Sequence, residues 1–309
     1  MNDYLALLAG VICAAIGGEL FVRGTVGLAH WARVAPGIIG ATVAAFATSS
    51  PELSVAINSA LDGTPQISLG DALGSNVVNV ALILGLALVI SGIQSPRDSI
   101  KRDFPVALLV PLIIGLLFWD GIISRSDGCI LLGLFVAWLI AVIREVRRQR
   151  SATEAILGTK RGWTAILSCV VGLAFLIAAG KLIVTGARGM ALVWGLDEFI
   201  IGSTIVAVGT SVPELATTIM AKLRGHDEVG LGTILGSNIF NGLLIIAVAA
   251  IIHPITVGGR EMAVALLFGL AALLFAYPSR SGLIMRWRGV LLLLLYALYL
   301  AAILHRSAA

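Results

Sequence analysis

Residues Ala45 to Asn79 recur, in register, as Ala207 to Asn241. The first copy reads AFATSSPELS, a short polar break, then LGDALGSNVVN; the second reads AVGTSVPELA, then LGTILGSNIFN. Glu52 maps to Glu214, Gly74 to Gly236 and Asn79 to Asn241, each pair 162 positions apart. A constant offset of that size marks the duplication of a whole half-protein. Each copy sets one carboxylate, several hydroxyls and one amide inside sequence that is otherwise apolar.

Composition says what that costs. Hydrophobic residues make up 59% of the chain and charged residues 12%, where a soluble domain averages roughly 25% charged. The chain therefore reads as an all-α integral membrane protein. A spanning helix takes about 20 residues, so this length holds about ten to twelve spans and leaves no stretch for a soluble domain. Polar groups at membrane depth are expensive, which makes the duplicated stretch the candidate functional site. The net charge of +4 is small, and the basic residues fall between apolar runs, so membrane orientation accounts for them and nucleic acid does not. Cys13, Cys129 and Cys169 sit singly in apolar runs and read as packing residues. The N-terminus lacks a basic leader and reads as the start of a first span, not a cleaved signal.

Apolar runs predict ten spans: Tyr4 to Ala29, Gly37 to Leu61, Ile67 to Ile90, Phe104 to Trp119, Gly128 to Ile143, Trp163 to Trp194, Phe199 to Leu223, Val229 to Ile252, Ala263 to Tyr277 and Val290 to Leu304. Spans two and seven are broken near Pro51 and Pro213. The division is a first five-helix repeat over 1–143 (duplicated motif about 38–85), a short basic connector over 144–161, and a second repeat over 162–309 (motif about 200–247). Arg33, the Arg97–Arg102 and Arg144–Arg161 groups, Lys222, Arg224 and the Arg280–Arg288 group fall on one side; Arg125, Arg260 and Arg306 fall on the other. The richer side is cytoplasmic, and both termini face outward. Five is odd, so the second repeat enters from the opposite side and the two repeats are inverted, the architecture of secondary transporters with a midplane site.

Pro51 removes a backbone donor and frees the carbonyl of Ala47. Unwound backbone there sets carbonyls beside the hydroxyls of Thr48 and Ser49, one turn from Glu52; Ala207, Thr210, Ser211 and Glu214 repeat the pattern. Carbonyl, hydroxyl and carboxylate oxygens are the ligand set of hard cations such as Na+ and Ca2+. Ser75 and Asn79 share a helix face with Gly70 and Gly74, as do Ser237 and Asn241 with Gly232 and Gly236. Two facing carboxylates repel, and one Ca2+, two Na+ or two protons would neutralise them. An occupied site is then favoured over an empty one, the basis of obligate exchange. Taken one at a time, the hydroxyls and glycines fit self-bonding and packing equally well; the duplicated glutamates do not.

These motifs, FATSSPEL and VGTSVPEL each followed by GSNxxN, resemble the two alpha repeats of the cation/calcium antiporter superfamily, most nearly its prokaryotic sodium/calcium exchanger-like branch. The resemblance covers nearly the whole chain. It implies a non-enzymatic antiporter that exchanges Na+ for Ca2+ by alternating access, without a cofactor, in the inner membrane, with the first and sixth helices sliding across the rest. It implies that Glu52 and Glu214 bind Ca2+ with the backbone carbonyls of Thr48 and Thr210. Flanking Na+ sites would involve Ala45, Ser49, Ser75, Ala207, Ser211 and Ser237, and Asn79 and Asn241 would complete the centre. Ala47 stands where the family usually has Gly. Asn241 stands where many members have Asp, a pattern resembling the potassium-independent exchangers. The GNxxE pattern of the proton-driven branch is absent.

Outside the motifs, Glu19 and Arg23 form a favourable helical pair, with Lys181 equivalent to Glu19. Asp71 shares the face of Asn79 and fits either an entry-path carboxylate or a solvated helix end. His30, His226, His253 and His305 fall at span ends without ligand spacing. Asp62, Asp227 and Glu228 read as solvated connector residues. The competing functions are a proton-coupled or broad divalent-cation antiporter on the same fold, an ion channel, which a single-chain inverted repeat disfavours, and an intramembrane hydrolase, which lacks a base beside its serines.

Overall fold

The computed structural model describes residues 3–32, 34–97, 99–152, 162–191, 199 and 202–304. Among these, eight helices are long and apolar enough to cross a membrane, and ten spans result if each of two bent helix pairs is one span. The first pair is α2 (Pro36–Thr48) and α3 (Ser50–Leu61), bent by 41°; the second is α8 (Ser203–Thr210) and α9 (Val212–Leu223), bent by 50°. The long helices are α1 (Asp3–Ala32), α4 (Pro65–Ile90), α5 (Ser99–Asp120), α6 (Arg125–Ala152), α7 (Gly162–Ala191), α10 (Asp227–Ile252), α11 (Gly259–Ala276) and α12 (Arg286–Leu304). The predicted spans match these helices to within a few residues, except that the fifth ends at Ile143 where α6 runs to Ala152, and that the end of the sixth span, through Trp194, and residues 200–201 of the seventh lie outside the described residues.

Helix α6 runs past the last apolar residues and on through Ala152, so the first part of the basic connector is helical. Hydropathy ends where water begins, but helix hydrogen bonding does not, and the residues after Arg144 are good helix formers. Val146 also still packs against the cluster of Ala29, Val34 and Ile39.

Helices α4 and α10 form the centre. Buried residues fill 72% of the most apolar stretch of α4 and 83% of that of α10, against 22% in α6. Close backbone approach holds the centre to the bent pairs. A side chain at Gly74 would strike the backbone of Ser203, and one at Gly236 would strike that of Ala41. Both contacts join equivalent positions of the two copies in reciprocal fashion, α4 on α8 and α10 on α2. Outside the centre, α1 and α7 lie together, with Phe21 and Leu176 packed in one cluster with Ala44.

Two short strand pairs, which the all-helical reading did not include, tie the halves through their loops. β1 (Ile93–Gln94) pairs antiparallel with β4 (Leu283–Ile284), and β2 (Ile122–Ile123) pairs with β3 (Ile255–Thr256). Each strand pair again joins one half of the sequence to the other.

Candidate cation site

The backbone builds the site at the two bends. Ser49 and Ser211 leave the helical region at φ −83°, ψ 9° and φ −80°, ψ 6°. Pro51 and Pro213 occupy the opening turns of α3 and α9, where a missing N–H costs nothing. Glu52 and Glu214 fall in those same first turns, where the helix dipole favours negative charge. Just before each bend the helix widens to a π-helical turn, Gly40–Ala44 and Gly202–Val206; in α4 and α10, π-helical turns at Val78–Leu84 and Phe240–Ile245 carry Asn79 and Asn241. Such widened turns recur at functional sites.

The expected free carbonyl at Ala47 is corrected. The hydroxyl of Ser50 donates to it at 2.7 Å, replacing the bond that Pro51 cannot make. The second copy carries Val212 at the equivalent position, with no hydroxyl to do the same.

All twelve predicted site residues are buried: Ala45, Thr48, Ser49, Glu52, Ser75 and Asn79 in the first copy, and Ala207, Thr210, Ser211, Glu214, Ser237 and Asn241 in the second. Many of them meet. Glu214 Oε1 accepts from Ser49 at 3.2 Å and from Ser237 at 3.0 Å. Ser75 lies 3.4 Å from both the Ala207 carbonyl and the Thr210 hydroxyl. Thr48 lies near Glu214 and Thr210 near Glu52, each in the opposite copy. Asn79 donates to Asn238 Oδ1 at 3.1 Å. The structure does not bring Asn241 or Ser211 into such contacts: among the described residues, neither side chain has a hydrogen-bond partner.

Three residues of the centre were underweighted in the sequence. Asp71 is fully buried, and its Oδ1 accepts from Thr210 at 2.9 Å and Ser75 at 3.5 Å. The solvated-end reading of Asp71 is therefore wrong. Asn76 and Asn238, equivalent positions, exchange side-chain bonds to each other's backbone carbonyls at 3.4 and 3.1 Å. Their shared place in both GSNxxN motifs was the available signal. Asp227, read as solvated, pairs with the nearly buried ammonium of Lys222 at 3.0 Å.

The donor set suits a hard cation. Both oxygens of Glu52, Oε2 of Glu214, Oδ2 of Asp71 and Oδ1 of Asn79 are buried without a hydrogen-bond partner among the described residues. Buried oxygens in that state are costly unless a ligand uses them. No three Asp, Glu, His or Cys side chains converge as a metal cluster among the described residues, so an ion at the glutamates would draw on hydroxyl and carbonyl oxygens as well.

Away from the site, Glu19 bonds Arg23 at 2.5 Å and also Arg224, in the turn between α9 and α10, at 2.8 Å. These groups line a cavity of about 510 Å³ with His30 and His226. The side chain of Lys181, and His305, lie outside the described residues.

Apolar helices of spanning length around one buried, oxygen-rich cluster define a multi-pass membrane transport protein. The chain belongs to the sodium/calcium exchanger protein family, which it matches over residues 3–144 and 164–304. That family is one of transporters, not enzymes. The chain is 33% identical to the inner membrane protein YrbG of Escherichia coli (strain K12) over 257 residues, 80% of this chain and 79% of the other. It is 25% identical to the sodium/calcium exchanger MaX1 of Methanosarcina acetivorans over 349 residues, 98% and 99% of the two chains. A solved structure of the sodium-calcium exchanger NCX_Mj, soaked with 10 mM Na+ and 10 mM Sr2+, is 32% identical and superimposes with a TM-score of 0.81 over 97% of each chain.

Proposed function

We propose that the chain exchanges Na+ for Ca2+ by alternating access through one site that Glu52 and Glu214 share. Thr48, Thr210, Ser49, Ser211, Ser75, Ser237, Asn79, Asn241 and the carbonyls of Ala45 and Ala207 supply the other ligands. The observation that carries this reading is the crossing of the copies. The bend of one repeat donates to the carboxylate of the other, Ser49 to Glu214, so a cation held there bridges both halves. Relative motion of the halves would then change access to a bound ion.

In this reading residues 1–143 and 162–309 are inverted repeats, the bent pairs are broken spans two and seven, and both termini lie outside the inner membrane. The strand pairs support the orientation: β1 with β4, and β2 with β3, join loops that the Lys and Arg distribution assigns to the same side. With amides at both Asn79 and Asn241, transport proceeds without K+.

The test is uptake of radioactive Ca2+ into proteoliposomes loaded with Na+ and diluted into Na+-free buffer, beside a pH-gradient control. Uptake that requires internal Na+ and vanishes in Glu52→Gln is the expected result. Uptake that follows the pH gradient and ignores Na+ would establish the proton-coupled alternative instead.

A further inference from the structure

We propose that Asp71 is a third cation-binding carboxylate, which makes the oxygens of Ser75, Thr210 and Ala207 an anionic subsite for one monovalent cation, Na+, beside the glutamate pair. The proposal rests on the antiport reading above and adds a charge that the duplicated motif does not contain.

Four oxygen groups meet at this point. Thr210 Oγ1 lies 2.9 Å from Asp71 Oδ1 and 3.3 Å from the Ala207 carbonyl, and Ser75 Oγ lies 3.5 Å from Asp71 and 3.4 Å from both Thr210 and Ala207. Asp71 is fully buried, and its Oδ2 has no hydrogen-bond partner among the described residues. A carboxylate, two hydroxyls and a carbonyl are hard-cation ligands. A buried carboxylate left with one bare oxygen is costly without a counter-charge.

The equivalent point of the other copy is built differently. Thr233 stands where Asp71 does, and its hydroxyl is spent within its own helix on the Val229 carbonyl at 2.9 Å. There Ser237, the equivalent of Ser75, turns to Glu214. Ser75 instead turns to the Asp71 cluster, and both oxygens of Glu52 remain without a partner among the described residues. Asp71 therefore breaks the equivalence of the two copies at one flanking position. Among the described residues it forms no three-carboxylate metal cluster with the glutamates, and the proposal gives its oxygens to an adjoining ion. A divalent ion balances two carboxylates and leaves the third charge to a monovalent one.

The test is equilibrium binding of radioactive Ca2+ to the purified full-length chain, titrated with Na+ at constant ionic strength, in wild type, Asp71→Asn, Asp71→Thr and Glu52→Gln. Asn keeps an acceptor for Thr210 and removes only the charge; Thr is the residue the second copy uses. The readout is the Na+ concentration that half-displaces Ca2+, divided by the Ca2+ Kd. Loss of one charged ligand is expected to raise that ratio about tenfold in both variants. A ratio within about twofold of wild type, in whichever variant elutes as a monodisperse species, would overturn the proposal while leaving the glutamate reading intact. Ca2+ binding that survives Glu52→Gln would sink the glutamate reading and this one with it.

Discussion

The hydroxyl of Ser49 donates to the carboxylate of Glu214 at 3.2 Å, across 165 positions of sequence. The equivalent serine, Ser211, has no side-chain partner among the described residues. The two bends are alike in sequence and unlike in bonding. Ser49→Ala removes a buried hydrogen bond, worth about 0.5–1.5 kcal/mol, whereas Ser211→Ala removes none in this state. Thermal unfolding in detergent with chelator and without Na+ should show a lower midpoint for Ser49→Ala than for Ser211→Ala. Equal midpoints would contradict the asymmetry.

Ser50 takes over the Ala47 carbonyl that Pro51 leaves unbonded. Ser50→Ala returns that carbonyl to an unpaired state at a cost of about 1–3 kcal/mol, and no equivalent bond exists to lose at Val212. Chemical denaturation should therefore find Ser50→Ala less stable than wild type and Val212→Ala changed only by its packing.

Gly74 sets the distance between α4 and α8. A methyl group there meets the Ser203 backbone, and neither main chain can yield without moving the site. Gly74→Ala should abolish Ca2+ uptake. Gly269→Ala is the control, since its new methyl meets only Val77 at 3.8 Å and should leave uptake near wild type.

Glu19 ties α1 to Arg224, but Arg224 is 53% exposed and Arg23 is 66% exposed. Solvent screens such pairs, so Arg224→Gln should change stability by less than about 1 kcal/mol, and less still at high salt. A loss of several kcal/mol at high salt would show that the pair is not an exposed one.

Protons and cations compete for the same carboxylate oxygens. Ca2+ affinity should therefore fall as pH falls and recover as pH rises. A Ca2+ affinity that is flat between pH 5 and pH 8 would place the binding outside the carboxylates.

The spans and the glutamates were legible because the bilayer allows few alternatives. Apolar runs must be helices, and a duplicated Pro-Glu inside them marks both the bend and the charge. Asp71 was not legible in the same way. Its place two turns before Asn79, near the start of an apolar run, looks solvated by hydropathy, and its partner Thr210 lies 139 positions away. The strand pairs were too short for any pattern of alternation, at two residues each. The bond from Ser50 to Ala47 is local and was available from sequence, since a serine beside a proline can reach the carbonyl that the proline strands.

The central claim is that Glu52 and Glu214 hold one ion together. Ca2+ affinity measured in Glu52→Gln, Glu214→Gln and the double variant tests it most directly. A shared ion predicts that either single substitution costs nearly as much affinity as both together, a strongly non-additive cycle. Additive losses, or a single variant that binds Ca2+ as wild type does, would show that the two carboxylates do not share an ion.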